Sequence, residues 1–91
     1  MTEEQLNAIE EMAYCLFAPD EIAIAIEMEA ADFYDCLSDP SSPAYRAFYK
    51  GLTRQKLECR QAIIKAANNG SNPAQMWVMK MLDRVDSMTR D

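Results

Sequence analysis

Histidine is absent from this 91-residue chain, glycine occurs only twice, and no lysine or arginine precedes residue 41. Each absence excludes something. Without histidine, the commonest general base, and with no serine in a GxSxG frame or glycine-rich phosphate loop, the sequence offers no catalytic constellation, and a non-enzymatic role is expected. The three cysteines, Cys15, Cys36 and Cys59, form no CxxC pair. A disulfide framework and a structural zinc site therefore both fit poorly. The cysteines read instead as small buried apolar side chains in a reduced compartment. No apolar run approaches the roughly 18 residues of a membrane span. The N-terminus, MTEEQLNAIEE, is acidic where a signal peptide would be basic, so the cytoplasm is the expected location. Acidic groups such as Glu10-Glu11 and Asp32…Asp35 read as solvated helix faces, because Mg²⁺ or Ca²⁺ needs convergent oxygens on a shaped loop. No metal or cofactor is expected.

What is present is enough apolar residue, 49%, for one modest core, and an uneven charge. Residues 1–40 hold eleven acids and no base, whereas residues 41–91 hold all nine bases against four acids. The net charge of −6 is thus −11 followed by +5. The two parts can attract each other, or the basic part can serve a polyanion.

The spacing of apolar residues predicts an all-α chain with five helices. Thr2 and Gln5 resemble a capping box at the start of a first helix reaching about Leu16, with Leu6, Ile9, Ala13 and Leu16 as its stripe. Pro19 suits the first turn of a second helix, DEIAIAIEM. A break at Glu29-Ala30, without glycine, leads to a third helix from about Ala31 to Ser38. SDPSSP is the clearest loop. A long fourth helix runs from Pro43 to Asn68, roughly 39 Å if Gly51 does not kink it. NNGSNP stops it, with Gly70 suited to a left-handed cap, and a fifth helix runs from about Pro73 to Met88. The chain reads as a single helical domain. Residues 1–39 form an acidic, helix-turn-helix-like three-helix part, and residues 42–91 a basic helical hairpin. The expected core is Ile9, Ile22, Ile26, Phe33, Leu37, Phe48, Leu52, Ile63, Trp77 and Leu82.

Two surfaces attract functional readings. On the fourth helix, Arg46, Lys50, Arg54 and Lys65 gather on an arc opposite the apolar one. That row is a candidate for tracking the phosphates of duplex DNA. It equally fits a solvated face, or docking on acidic residues of the same chain or a neighbour. The third helix, where a DNA reader would carry polar or basic side chains, carries Asp32 and Asp35, with Tyr34 between them. Affinity for DNA depends largely on Lys and Arg at phosphates, so this helix suits protein contact better than a groove. Trp77, toward one flank of the fifth helix, is a further candidate for protein contact.

Two stretches resemble the small subunit of tailed-phage terminases and related prophage proteins. LFAPDEIAIAIEMEAADFYDCLSDPSSPAYRAFYKGLTRQKLECRQAI is similar to that family's helix-turn-helix followed by a long helix. AANNGSNPAQMWVMKML is similar to its "A…GN…A…FLLK" segment. Together they cover about residues 14–82. The resemblance implies a DNA-packaging protein of the bacterial host cytoplasm that binds duplex DNA, assembles as a homo-oligomer and hands DNA to a large terminase subunit. By position the reading helix would be residues 31–37. The alternative is a small phage or mobile-element interaction module whose acidic half covers a basic surface on a host protein. Self-association is expected, with opposite charge contributing alongside apolar contact and hence with sensitivity to salt, and a strict monomer would favour the interaction module.

Overall fold

The computed structural model describes residues 1–89, which form five helices. These are α1 (Glu3–Tyr14), α2 (Pro19–Ala25), α3 (Ala30–Leu37), α4 (Pro43–Asn68) and α5 (Asn72–Thr89). No strand occurs among the described residues, and none of their helices is long and apolar enough to cross a membrane.

Local chemistry sets each boundary. At the start of α1 the Gln5 N–H donates to Thr2 Oγ1 (3.1 Å) and the Thr2 N–H donates to Gln5 Oε1 (2.9 Å), a reciprocal capping box. The Gln5 amide also donates to the Ile26 carbonyl (3.2 Å), tying the start of α1 to the end of α2. At the start of α2, Pro19 follows an Ala18 N–H that donates to Glu21 Oε1 (2.9 Å). The loop before α4 is braced by Asp39, whose carboxylate accepts from the Ser41 N–H (3.0 Å) and hydroxyl (2.7 Å). Ser42 Oγ then accepts from the Ala44 N–H (3.2 Å) at the head of α4.

Helices α1, α2 and α4 all end in the same way. The residue after the last turn adopts a left-handed conformation, and two N–H groups fold back on orphan carbonyls. Leu16 (φ 66°) ends α1, with its own N–H on Ala13 and that of Phe17 on Met12. Glu27 (φ 57°) ends α2, with its N–H on Ile24 and that of Met28 on Ala23. Gly70 (φ 97°) ends α4, with its N–H on Ala67 and that of Ser71 on Ala66. Only the last uses the residue that adopts this conformation without steric cost. The turn between α2 and α3, residues 26–29, is therefore made without glycine.

By packing, the chain divides into two compact units, Met1–Lys56 and Leu57–Asp91. The charge pattern divides it at the SDPSSP loop, whereas the packing divides it inside α4. The cause is the apolar face at the start of α4, whose Ala44 and Phe48 are buried with the acidic helices. Ile9 and Ala13 of α1, Ile22, Ala23 and Ile26 at α2, and Phe33 of α3 complete that core. Phe33 meets Phe48 edge-on, with ring centroids 6.4 Å apart. Gly51 is buried against α1, where a β-carbon would run into the Glu10 carbonyl and come within 3.0 Å of Ala13 Cβ. It serves a close helix approach, and α4 runs continuously through it.

Half of the expected core is buried as anticipated: Ile9, Ile22, Ile26, Phe33 and Phe48. Leu37, Leu52 and Ile63 are only half-buried. Trp77 and Leu82 depart from expectation outright, at 57% and 51% exposed. The second unit explains why. It comprises the end of α4, the Gly70 turn and α5, and Ala74 is its one fully buried side chain among the described residues. A pair of helices shields one line of contact, here Ala74, Val78 and Met81 at spacings of four and three. Trp77 and Leu82 lie to either side of that line, where only a further layer could cover them. The cysteines also differ from expectation: Cys15 and Cys59 are exposed and Cys36 is half-buried. Cys15 caps α1 beyond its last inward turn.

Candidate interaction surfaces

Helix α3 turns Phe33 into the core and half-buries Cys36 and Leu37, which leaves Asp32, Tyr34 and Asp35 outward. Glu27 and Glu29 in the preceding turn are exposed too. Among the described residues, no basic side chain lies within ion-pair distance of Asp32 or Asp35. The Ser38 hydroxyl donates to the Tyr34 carbonyl (3.0 Å), so it is engaged inside the helix end. The outward face of α3 is accordingly acidic, with one aromatic ring, 48% exposed, at its centre.

The basic row of α4 does not behave as one surface. Arg54 Nη1 donates to Glu10 Oε2 at 2.7 Å and to Glu11 Oε1 at 3.0 Å. Its guanidinium carbon sits 4.6 Å from the centroid of the Tyr14 ring, a cation–π contact. Hydrogen bonding to Glu11, then Glu10, pushes the Arg54 pKa up. Lys50 Nζ lies 3.7 Å from Glu10 Oε1. Next to Arg54, the Gln55 amide donates to the Tyr14 carbonyl (2.8 Å) at the end of α1. Arg46 and Lys65 are exposed, with no acid in ion-pair reach among the described residues. Of the readings open for this row, docking on acidic residues of the same chain describes Lys50 and Arg54. Their acceptors, Glu10 and Glu11, read from sequence as a solvated face. The available signal was their place on the flank of the Ile9–Ala13 stripe, beside whatever packs there.

This pairing also redistributes charge. The first unit keeps all eleven early acids and takes Arg46, Lys50, Arg54 and Lys56, whereas the second holds five bases against four acids. The −11/+5 contrast along the sequence becomes a strongly acidic unit and a nearly neutral one.

The third surface is apolar and belongs to the second unit. Leu57 and Ile64 on α4, and Met76, Trp77, Met79, Leu82, Val85 and Met88 on α5, are all between 44% and 75% exposed. Lys80 Nζ lies 5.0 Å from the Trp77 ring centroid and covers part of it. Soluble monomers rarely expose so many large apolar side chains on one short helix. Among the described residues, no group of His, Cys, Asp or Glu converges as a metal site would require. Compared with protein-family models, with curated proteins and with solved structures, the chain has no match.

Proposed function

We propose that this chain is a small non-enzymatic assembly protein of the phage DNA-packaging kind. On this reading it resembles a terminase small subunit, self-associates through its C-terminal hairpin and acts in the bacterial cytoplasm, with a large terminase subunit as a further partner. The observation that supports the reading is the set of large apolar side chains left exposed on α5: Trp77, Leu82, Val85 and Met88. Burying such side chains stabilises by about 25 cal/mol per Å² removed from water, and within one hairpin nothing removes them. Duplex DNA would be contacted by the basic face of α4, where Arg46 and Lys65 stand exposed and Lys50 and Arg54 are already engaged by Glu10 and Glu11. Light scattering on the full chain, with and without duplex DNA, tests both parts. A particle that stays at monomer mass and does not take up DNA removes the proposal.

A second reading is favoured by α3. Its exposed Asp32, Tyr34 and Asp35 suit a basic protein surface and repel phosphate. A protein that oligomerises but never retains DNA would be an interaction module of that kind.

A further inference from the structure

We infer that Glu10 and Glu11 serve as built-in stand-ins for phosphate, holding Lys50 and Arg54 so that duplex DNA has to displace them before it can use the α4 face. This rests on the DNA-contacting part of the function proposed above and adds a control to it. The geometry is that of an occupied anion site. Arg54 meets two carboxylate oxygens at 2.7 and 3.0 Å, from different residues, and Lys50 meets the second oxygen of one of them at 3.7 Å. Carboxylate and phosphodiester oxygens satisfy a guanidinium in the same manner, so they compete for it.

The same donors remain reachable from solvent. The side chains of Lys50 and Arg54 are 70% and 41% exposed. The Tyr14 ring lies 4.6 Å from the Arg54 guanidinium carbon, a cation–π contact that DNA need not disturb to reach the cation's open side. Glu11 is the more open acid, 65% against 21% for Glu10, and so is the first to yield. Displacement would involve side chains alone, because Gly51 holds the α4 backbone against Glu10 and the two helices cannot part without exposing the core. Intramolecular acids are present at high effective concentration and need no ordering, so they set a threshold that only a dense polyanion overcomes. A neutral ligand or an isolated phosphate would not cross it.

The experiment is retention of short duplex DNA by the full chain over a salt series. It compares wild type, Glu10→Gln/Glu11→Gln, and the control Glu3→Gln/Glu4→Gln. The control makes the same charge change on the exposed first turn of α1. Expected is about tenfold or greater tightening in the first variant, with a salt slope steeper by up to about two phosphate contacts. The control should tighten markedly less. Adding Lys50→Ala and Arg54→Ala to the Glu10/Glu11 variant should reverse the gain. If wild type and the Glu10/Glu11 variant bind alike, or the control tightens equally, the stand-in role is overturned while DNA binding survives. If no form binds DNA under folded conditions, checked by circular dichroism, this inference and the DNA part of the proposed function both fall.

Discussion

The backbone of Gly51 lies directly against the carbonyl of Glu10, with no room between them for a β-carbon. This contact places the start of α4 on α1 and brings Lys50 and Arg54 within reach of Glu10 and Glu11. Replacing a helical glycine with alanine at an exposed site gains about 1 kcal/mol of helix propensity. Here the sign should reverse. Gly51→Ala has to push apart two packed backbones, and overpacking of that kind costs about 1–3 kcal/mol. Chemical denaturation measures the difference. A neutral or stabilised Gly51→Ala protein would mean that α1 and α4 do not approach here.

The left-handed helix ends make a pair of predictions of opposite sign. Glu27 is exposed, holds φ 57° and makes no hydrogen bond through its carboxylate among the described residues. Glu27→Gly should relieve the conformational cost and stabilise by about 1 kcal/mol. Gly70 holds φ 97° in open space, with nothing within 4 Å of an added β-carbon. Gly70→Ala should therefore destabilise by a similar amount, for a purely backbone reason. Thermal melts of both variants check the pair, and equal signs would contradict it.

Asp39 gives the chain a pH signature at low pH. The Ser41 hydroxyl, and then the Ser41 N–H, hold its carboxyl below the ordinary value of 3.8. A carboxylate with a lowered folded pKa contributes stability that is fully present above its unfolded value and is lost as pH falls through the folded one. The difference in melting temperature between wild type and Asp39→Ala should be largest near neutral pH. It should shrink below pH 3.8 and level off at a smaller value once the folded carboxyl is protonated. A difference that holds constant down to strong acid would show that the loop is not braced by this carboxylate.

Helix count, boundaries and caps were legible in the sequence because they depend on neighbours a few residues apart. Thr2 with Gln5, Pro19, Pro43 and Gly70 each mark a boundary that the structure shows. The central core was legible too, since Ile9, Ile22, Phe33 and Phe48 lie at the inward phase of strongly periodic segments. Two features were not. The alignment of Arg46, Lys50, Arg54 and Lys65 follows from one helix alone, but the loss of Lys50 and Arg54 to Glu10 and Glu11 depends on partners forty or more residues away. Periodicity also marks Trp77 and Leu82 as apolar, yet it cannot say whether a layer exists to cover them. Residues 1–56 supply such a layer for themselves, whereas a hairpin does not. Phe33 and Leu52 show the difference in energetic terms. Phe33→Ala should cost about 3–5 kcal/mol, and the half-buried Leu52→Ala should fall at or below the low end of the roughly 2–5 kcal/mol range for buried leucines.

Self-association should run through the apolar side of α5 and should resist salt. The charge pattern of the sequence alone favours a contact between acidic and basic parts, which salt would screen. In the folded chain Lys50 and Arg54 already meet their acids internally, and the second unit holds five bases against four acids. What is left to join copies is Leu82, Val85 and Met88, each more than half exposed. Burial of apolar surface does not weaken at about 1 M salt, where the Debye length has fallen to roughly 3 Å. Light scattering should therefore find an oligomer at low salt that persists at high salt. Leu82→Lys with Val85→Lys should reduce it to monomer without lowering helicity, since neither side chain is buried in the single chain. Ile24→Lys, at a position 77% exposed on the other unit, should leave assembly intact. Dissociation by salt alone, with the lysine pair on α5 having no effect, would return the contact to charge and move the interface away from α5.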